Sequence, residues 1–135
     1  MPKITPTRVR KQVGVNPIAQ AVARELMRKS IVDQKIQLYL TAEGESCVEF
    51  CAPIRMLFHA LIATAALDPK VKSDSYEVKI IRGAISAIDQ MIADNSYRRI
   101  NTVSLETGLD CAYELVGKVN SELFNREWNR LAGGV

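Results

Sequence analysis

The chain has 135 residues and a mass of 15.0 kDa; 47% of it is apolar, 24% is charged, and the formal net charge is +3. Those proportions are globular and suit one domain, and they exclude disordered, collagen-like and low-complexity classes. At this size a chain buries about two-thirds of its unfolded surface, enough for a core without metal or disulfide staples.

Residues 1–15 carry Pro2, Pro6 and Gly14 and no helical period, and they read as an arm made basic by Lys3, Arg8, Arg10 and Lys11. No apolar block precedes a cleavage site there, so no secretory signal is expected. Asn16-Pro17 is a helix start signal, Asn capping the first amides and Pro suiting the first helical position. The first predicted helix runs from Pro17 to about Leu40. Ile18, Val22, Leu26, Ile36 and Leu40 fall near one face, which is expected to turn inward. Arg24, Arg28 and Lys35 lie within about 40° of one another at 100° per residue, flanked by Lys29, and are expected to point to solvent. Residues 1–35 hold eight basic and two acidic groups, a net of +6, whereas the remainder of the chain nets −3.

TAEGES then forms a polar loop, and Ser46 with Glu49 fits a capping box for a second helix from about Cys47 to Ala66. That helix is apolar nearly all round after Ile54 and should be the central one. Pro53 either kinks it or marks where it begins. Asp68-Pro69 ends it. A third helix, capped by Asp74 and Glu77, spans about Ser75 to Ala93, with Val78, Ile81, Ile85, Ile88 and Ile92 at spacings of three and four. A fourth runs from Asn101 or Thr102 to about Leu131; Gly108 and Gly117 inside it suggest close approach by a neighbour, or a bend. Leu57, Leu61, Ile85, Ile88, Leu115 and Val119 are the expected core. β-branched runs of period two are missing. The predicted architecture is all-α: a single-domain bundle of four main helices over residues 16–135, led by the basic arm 1–15.

Chemistry is sparsely signalled. The one histidine, His59, lies in MLFHALI on the most apolar helix and reads as a neutral side chain bonded to a neighbour. Cys47, Cys51 and His59 share one slowly drifting row, but three ligands on one helix fall short of the four that zinc wants. The odd count of three cysteines, Cys47, Cys51 and Cys111, reads as reduced thiols. No GxxxxGK[ST] phosphate loop occurs, and paired acids such as Glu43 and Glu45 read as solvated. No catalytic residue, cofactor or metal is expected, and no segment reaches the ~18 consecutive apolar residues of a membrane span.

Two binding readings follow. Arg8, Arg10, Lys11, Arg24, Arg28, Lys29 and Lys35 could neutralise several phosphates of DNA or RNA, although aromatic residues do not interleave with them. Alternatively they meet an acidic protein surface, with Phe124 and Trp128 on the last helix as anchors beyond what a short bundle needs. The apolar residues of the arm could also dock on a second copy. The short basic lead-in, the Cys-bearing apolar helix CVEFCAPIRMLFHAL and the pair GAISAIDQMIA and LETGLDCAYELVGKV resemble, in layout, small helical accessory proteins of phages and plasmids. That resemblance implies a non-enzymatic inhibitor of the anti-CRISPR kind, acting in the host cytoplasm on a protein or protein–nucleic-acid complex that handles nucleic acid; the alternative is a small DNA- or RNA-binding regulator.

Overall fold

The computed structural model describes residues 17–72 and 75–133, so the arm and its Arg8, Arg10 and Lys11 lie outside the described residues. All regular structure among the described residues is helical. The elements are α1 (Pro17–Leu40), α2 (Val48–Leu67), α3 (Tyr76–Asp94), α4 (Thr102–Lys118) and α5 (Ser121–Gly133), with a 3-10 turn, Arg99–Asn101, leading into α4. One buried cluster draws on all five helices, and it contains each expected core residue, Leu57, Leu61, Ile85, Ile88, Leu115 and Val119.

α2 is central, as its all-round apolarity requires. Among the described residues it is the one helix long and apolar enough to cross a membrane, and it buries Cys51, Ile54, Phe58 and Leu61 against its neighbours. Its start differs from the expected Ser46–Glu49 capping box. The cap comes from the far end of α3: Asn95, in the left-handed conformation at φ 48°, turns its Oδ1 to accept from Ser46 Oγ, Cys47 N and Val48 N at 3.0–3.2 Å. Pro53 sits inside α2, five residues past its start, so the helix neither begins nor ends there. The cap of α3 is Ser75, whose Oγ accepts from Val78 N; the expected Asp74 is outside the described residues.

The predicted long fourth helix is two helices. Val119 turns extended (φ −80°, ψ 158°), and Asn120 Oδ1 accepts the N–H groups of Glu122 and Leu123 at 2.9 and 3.0 Å, starting α5. The N–H of Asn120 donates to Asp68 Oδ2 at 2.9 Å, and the other oxygen of that carboxylate accepts from Lys70 N. Buried Asp68 thereby pins the end of α2 to the corner between α4 and α5, and its charge is met by two backbone donors. Apolar residues continue in helical register across Asn120, which is why spacing alone runs the two helices together.

Gly108 permits the closest helix approach. A Cβ there would stand 2.7 Å from the Ala84 Cβ and 3.0 Å from the Phe58 ring. The alternative of a bend is not needed at this position, since α4 runs through it unbroken.

α1 reverses the orientation expected of it. Val22, Leu26 and Ile36 are 54%, 65% and 53% exposed, and Ile18 and Leu40 are exposed too. Its buried residues are Ile31 and Leu38, with Met27 packed beside them. Arg24, Arg28 and Lys35 lie on this inner side, against α4. The physical reason lies in what α4 offers: carbonyls near its C-terminal end, where the helix dipole is negative, and acids along the adjoining flank.

Candidate functional site

The cations singled out from the sequence form an intramolecular seam. Arg24 Nη2 donates to Val119 O at 3.0 Å. Arg28 Nε donates to Tyr113 O at 3.3 Å, and its guanidinium lies over the Tyr113 ring, 4.6 Å from the centroid. The same guanidinium covers Gly117, whose missing side chain leaves the room for it. Two and three turns further along α1, Lys35 pairs with Asp110 at 2.5 Å and Tyr39 donates to Glu106 at 2.5 Å. That bond to a carboxylate holds the Tyr39 hydroxyl pKa above its ordinary value. Of the predicted basic face, only Lys29 stands exposed and outside the seam. The structure thus does not bring Arg24, Arg28 and Lys35 together as an outward phosphate-binding surface.

Beside the seam, α1 stands away from α2 and leaves a groove closed at one end by α5. Its first part has a volume of about 500 Å³ and is walled by Leu26, Met27, Pro53, Leu57, Phe124 and Trp128. Phe124 is almost fully buried and packs in the core, whereas Trp128 is half-buried with its ring 5.9 Å from that of Phe124. Ser30, Gln34 and Pro53 continue the groove into a shallower part of about 300 Å³ bordered by Asp33, Glu49 and Phe50. No Lys or Arg lines either part, so the groove is apolar along its floor and acidic at one end. Gln34 Oε1 is buried and has no donor among the described residues, which leaves one acceptor unmet between the two parts.

Sequence reasoning marked Phe124 and Trp128 but missed the other walls. In the sequence Leu26 belongs to a face expected to turn inward, and Pro53 reads as a kink or as the start of a helix. The available signal was that α1 carries more apolar residues than one face can bury.

A second pocket, about 590 Å³, lies between α2 and α3 and is lined by Arg55, Met56, His59, Asp89, Ile92 and Leu131. Arg55 Nε donates to Asp89 Oδ1 at 2.5 Å. His59 is half-buried, and its Nε2 has no hydrogen-bond partner among the described residues, in contrast to the bonded histidine expected from the sequence. Burial lowers its pKa, the nearby Arg55 lowers it further, and Asp89 opposes the shift. With Asp89 engaged by Arg55, the imidazole has no hydrogen-bonded orienting carboxylate among the described residues.

The thiols are buried and unlinked. Burial, with the adjacent Cys47, pushes the Cys51 pKa up to about 12, and burial also raises that of Cys111. Such thiols stay protonated at neutral pH and are poor nucleophiles. Among the described residues no three His, Cys, Asp or Glu side chains gather as a metal-ligand set. Comparison with family models, curated proteins and solved structures finds no match to this chain.

Proposed function

We propose that this chain is a non-catalytic protein-binding module, and that it takes a short amphipathic segment of another protein in the groove between α1 and α2. The observation that carries this reading is the groove itself: Leu26, Met27, Pro53, Leu57 and Trp128 present a continuous apolar wall to solvent, with Asp33 and Glu49 at one end. An apolar helix face fills such a groove through residues three and four apart. The acidic end selects a segment with a basic end, and the unmet Gln34 Oε1 suits a donor from the ligand. The partner is therefore basic at this site, the reverse of the acidic surface that the basic N-terminal third of the sequence suggests.

The narrower reading, an inhibitor encoded by a phage or plasmid and aimed at a host nucleic-acid-handling complex, rests on the resemblance in layout. Direct nucleic-acid binding has less support, because Arg24, Arg28 and Lys35 are engaged by α4.

Trp128 is the only tryptophan in the chain, so its emission reports on the groove directly. Amphipathic helical peptides with a basic end, selected from a display library on the immobilised chain, should quench or blue-shift it. Leu26→Glu should abolish that change while leaving the helical dichroism intact, since Leu26 is exposed. Peptide binding that leaves Trp128 emission unchanged, or that survives Leu26→Glu, would place the binding surface elsewhere.

A further inference from the structure

The outward face of α1 carries a pattern that the groove does not use. Ile18, Val22, Glu25, Lys29, Val32 and Ile36 follow one another at steps of four and three in strict alternation, the seam of a coiled coil. Val22, Val32 and Ile36 are about half exposed, and Glu25 and Lys29 are exposed and make no ion pair among the described residues.

This seam is complementary to itself. A two-fold axis crossing α1 near Met27 sets Glu25 against Lys29 of the partner subunit and Lys29 against Glu25 of the partner subunit. The same axis sets Val22 against Val32 of the partner subunit, and Ile36 against Ile18 of the partner subunit. Every layer then joins like apolar residues or opposite charges, as an isologous interface requires. A parallel pairing would put Glu25 against Glu25 of the partner subunit and Lys29 against Lys29 of the partner subunit, which like charges oppose.

We propose that the outward stripe of α1 is a homodimer interface, in which two copies pair antiparallel through Val22, Glu25, Lys29, Val32 and Ile36. The two charge pairs fix register and direction, and the valines and isoleucines supply the apolar burial. One helix from each copy gives an interface at the small end of the usual range, so the dimer forms and separates with concentration in the micromolar range. None of these five residues lines the groove, whose rim at Leu26 and Asp33 runs beside the stripe.

The test is sedimentation equilibrium of the whole chain over a concentration series. The mass should rise from 15.0 kDa toward twice that value. Glu25→Lys alone sets lysine against lysine across the axis, Lys29→Glu alone sets glutamate against glutamate, and each should weaken the dimer at least tenfold. Mixing the two variants should restore it, and so should the double swap in one chain. Direction is read by cross-linking: Val22→Cys chains should join Val32→Cys chains and not one another, the three native thiols being buried. A mass of 15.0 kDa throughout, a dimer indifferent to Glu25→Lys, or self-linking of Val22→Cys chains would overturn the proposal. Peptide binding in the groove plays no part in these readings, so its failure and theirs are separate results.

Discussion

α3 and α1 pack on different flanks of α4 and are held there by different forces. The α3 flank is apolar and tight: Gly108 lets Ala84 and Phe58 close in, and Leu105, Leu109, Ala112 and Leu115 are buried. The α1 flank is a ladder of polar side chains, Arg24, Arg28, Lys35 and Tyr39, meeting carbonyls, a ring and two carboxylates. Apolar burial grows with area and has no direction, whereas charge-assisted hydrogen bonds need a partner in place. A helix seated by the second kind of contact keeps apolar surface for other uses, and α1 does so on its groove side and on its outer stripe.

The largest effect should come from opening the apolar flank. Leu109→Ala removes a fully buried side chain and should lower stability by about 2–5 kcal/mol in urea unfolding, the range for such truncations. Next, Gly108→Ala should destabilise by about 1–3 kcal/mol, because overpacking against Ala84 outweighs the gain in helix propensity. If Gly108→Ala stabilises the protein instead, the flank is looser than these contacts describe.

The smallest effect sharpens the contrast from the other side, because the apolar flank has a polar tie of its own. Lys118 Nζ lies 3.0 Å from Glu77 Oε2, and this hydrogen bond is the main reason that the Glu77 pKa sits below its ordinary value. A carboxyl lowered by folding adds stability at pH values above its unfolded value of 4.5 and loses it as pH falls through the folded value. Acid titration of the unfolding midpoint should therefore show a small loss below about pH 4.5 that Lys118→Ala diminishes. An unchanged acid limb in Lys118→Ala would mean that the pair adds nothing to the α3–α4 contact.

The same contrast decides what could be read in the sequence. α2 and α3 were legible because their apolar residues recur at helical spacing and have one place to go, the core. That a helix covers Pro17–Leu40 was legible from local chemistry and spacing. Its facing was not, because Ile18, Val22, Leu26, Ile36 and Leu40 make a longer stripe than the Met27, Ile31 and Leu38 that are buried or packed on the core. The deciding partners, Val119 O, Tyr113 and Asp110, lie 75 or more residues away for three of the four contacts. Asn95 capping α2 and Asp68 holding Asn120 escape for the same reason: each is a contact between distant segments. Of the candidate site, Trp128 was visible as a large aromatic near the end of an amphipathic helix. The wall opposite it depends on how α1 is turned.

That orientation carries both the groove and the outward stripe, and paired charge substitutions test it most directly. Urea unfolding would be measured in dilute protein, where monomer dominates, for Arg24→Glu/Arg28→Glu and for Val22→Glu/Leu26→Glu. With α1 seated through its cations, the first pair turns attraction to the end of α4 into repulsion and should lower stability by about 2 kcal/mol. The second pair lies at exposed positions and should change it by no more than about 0.5 kcal/mol. The reverse outcome, a neutral arginine reversal and a costly Val22→Glu/Leu26→Glu, would show that α1 turns its long apolar stripe inward after all.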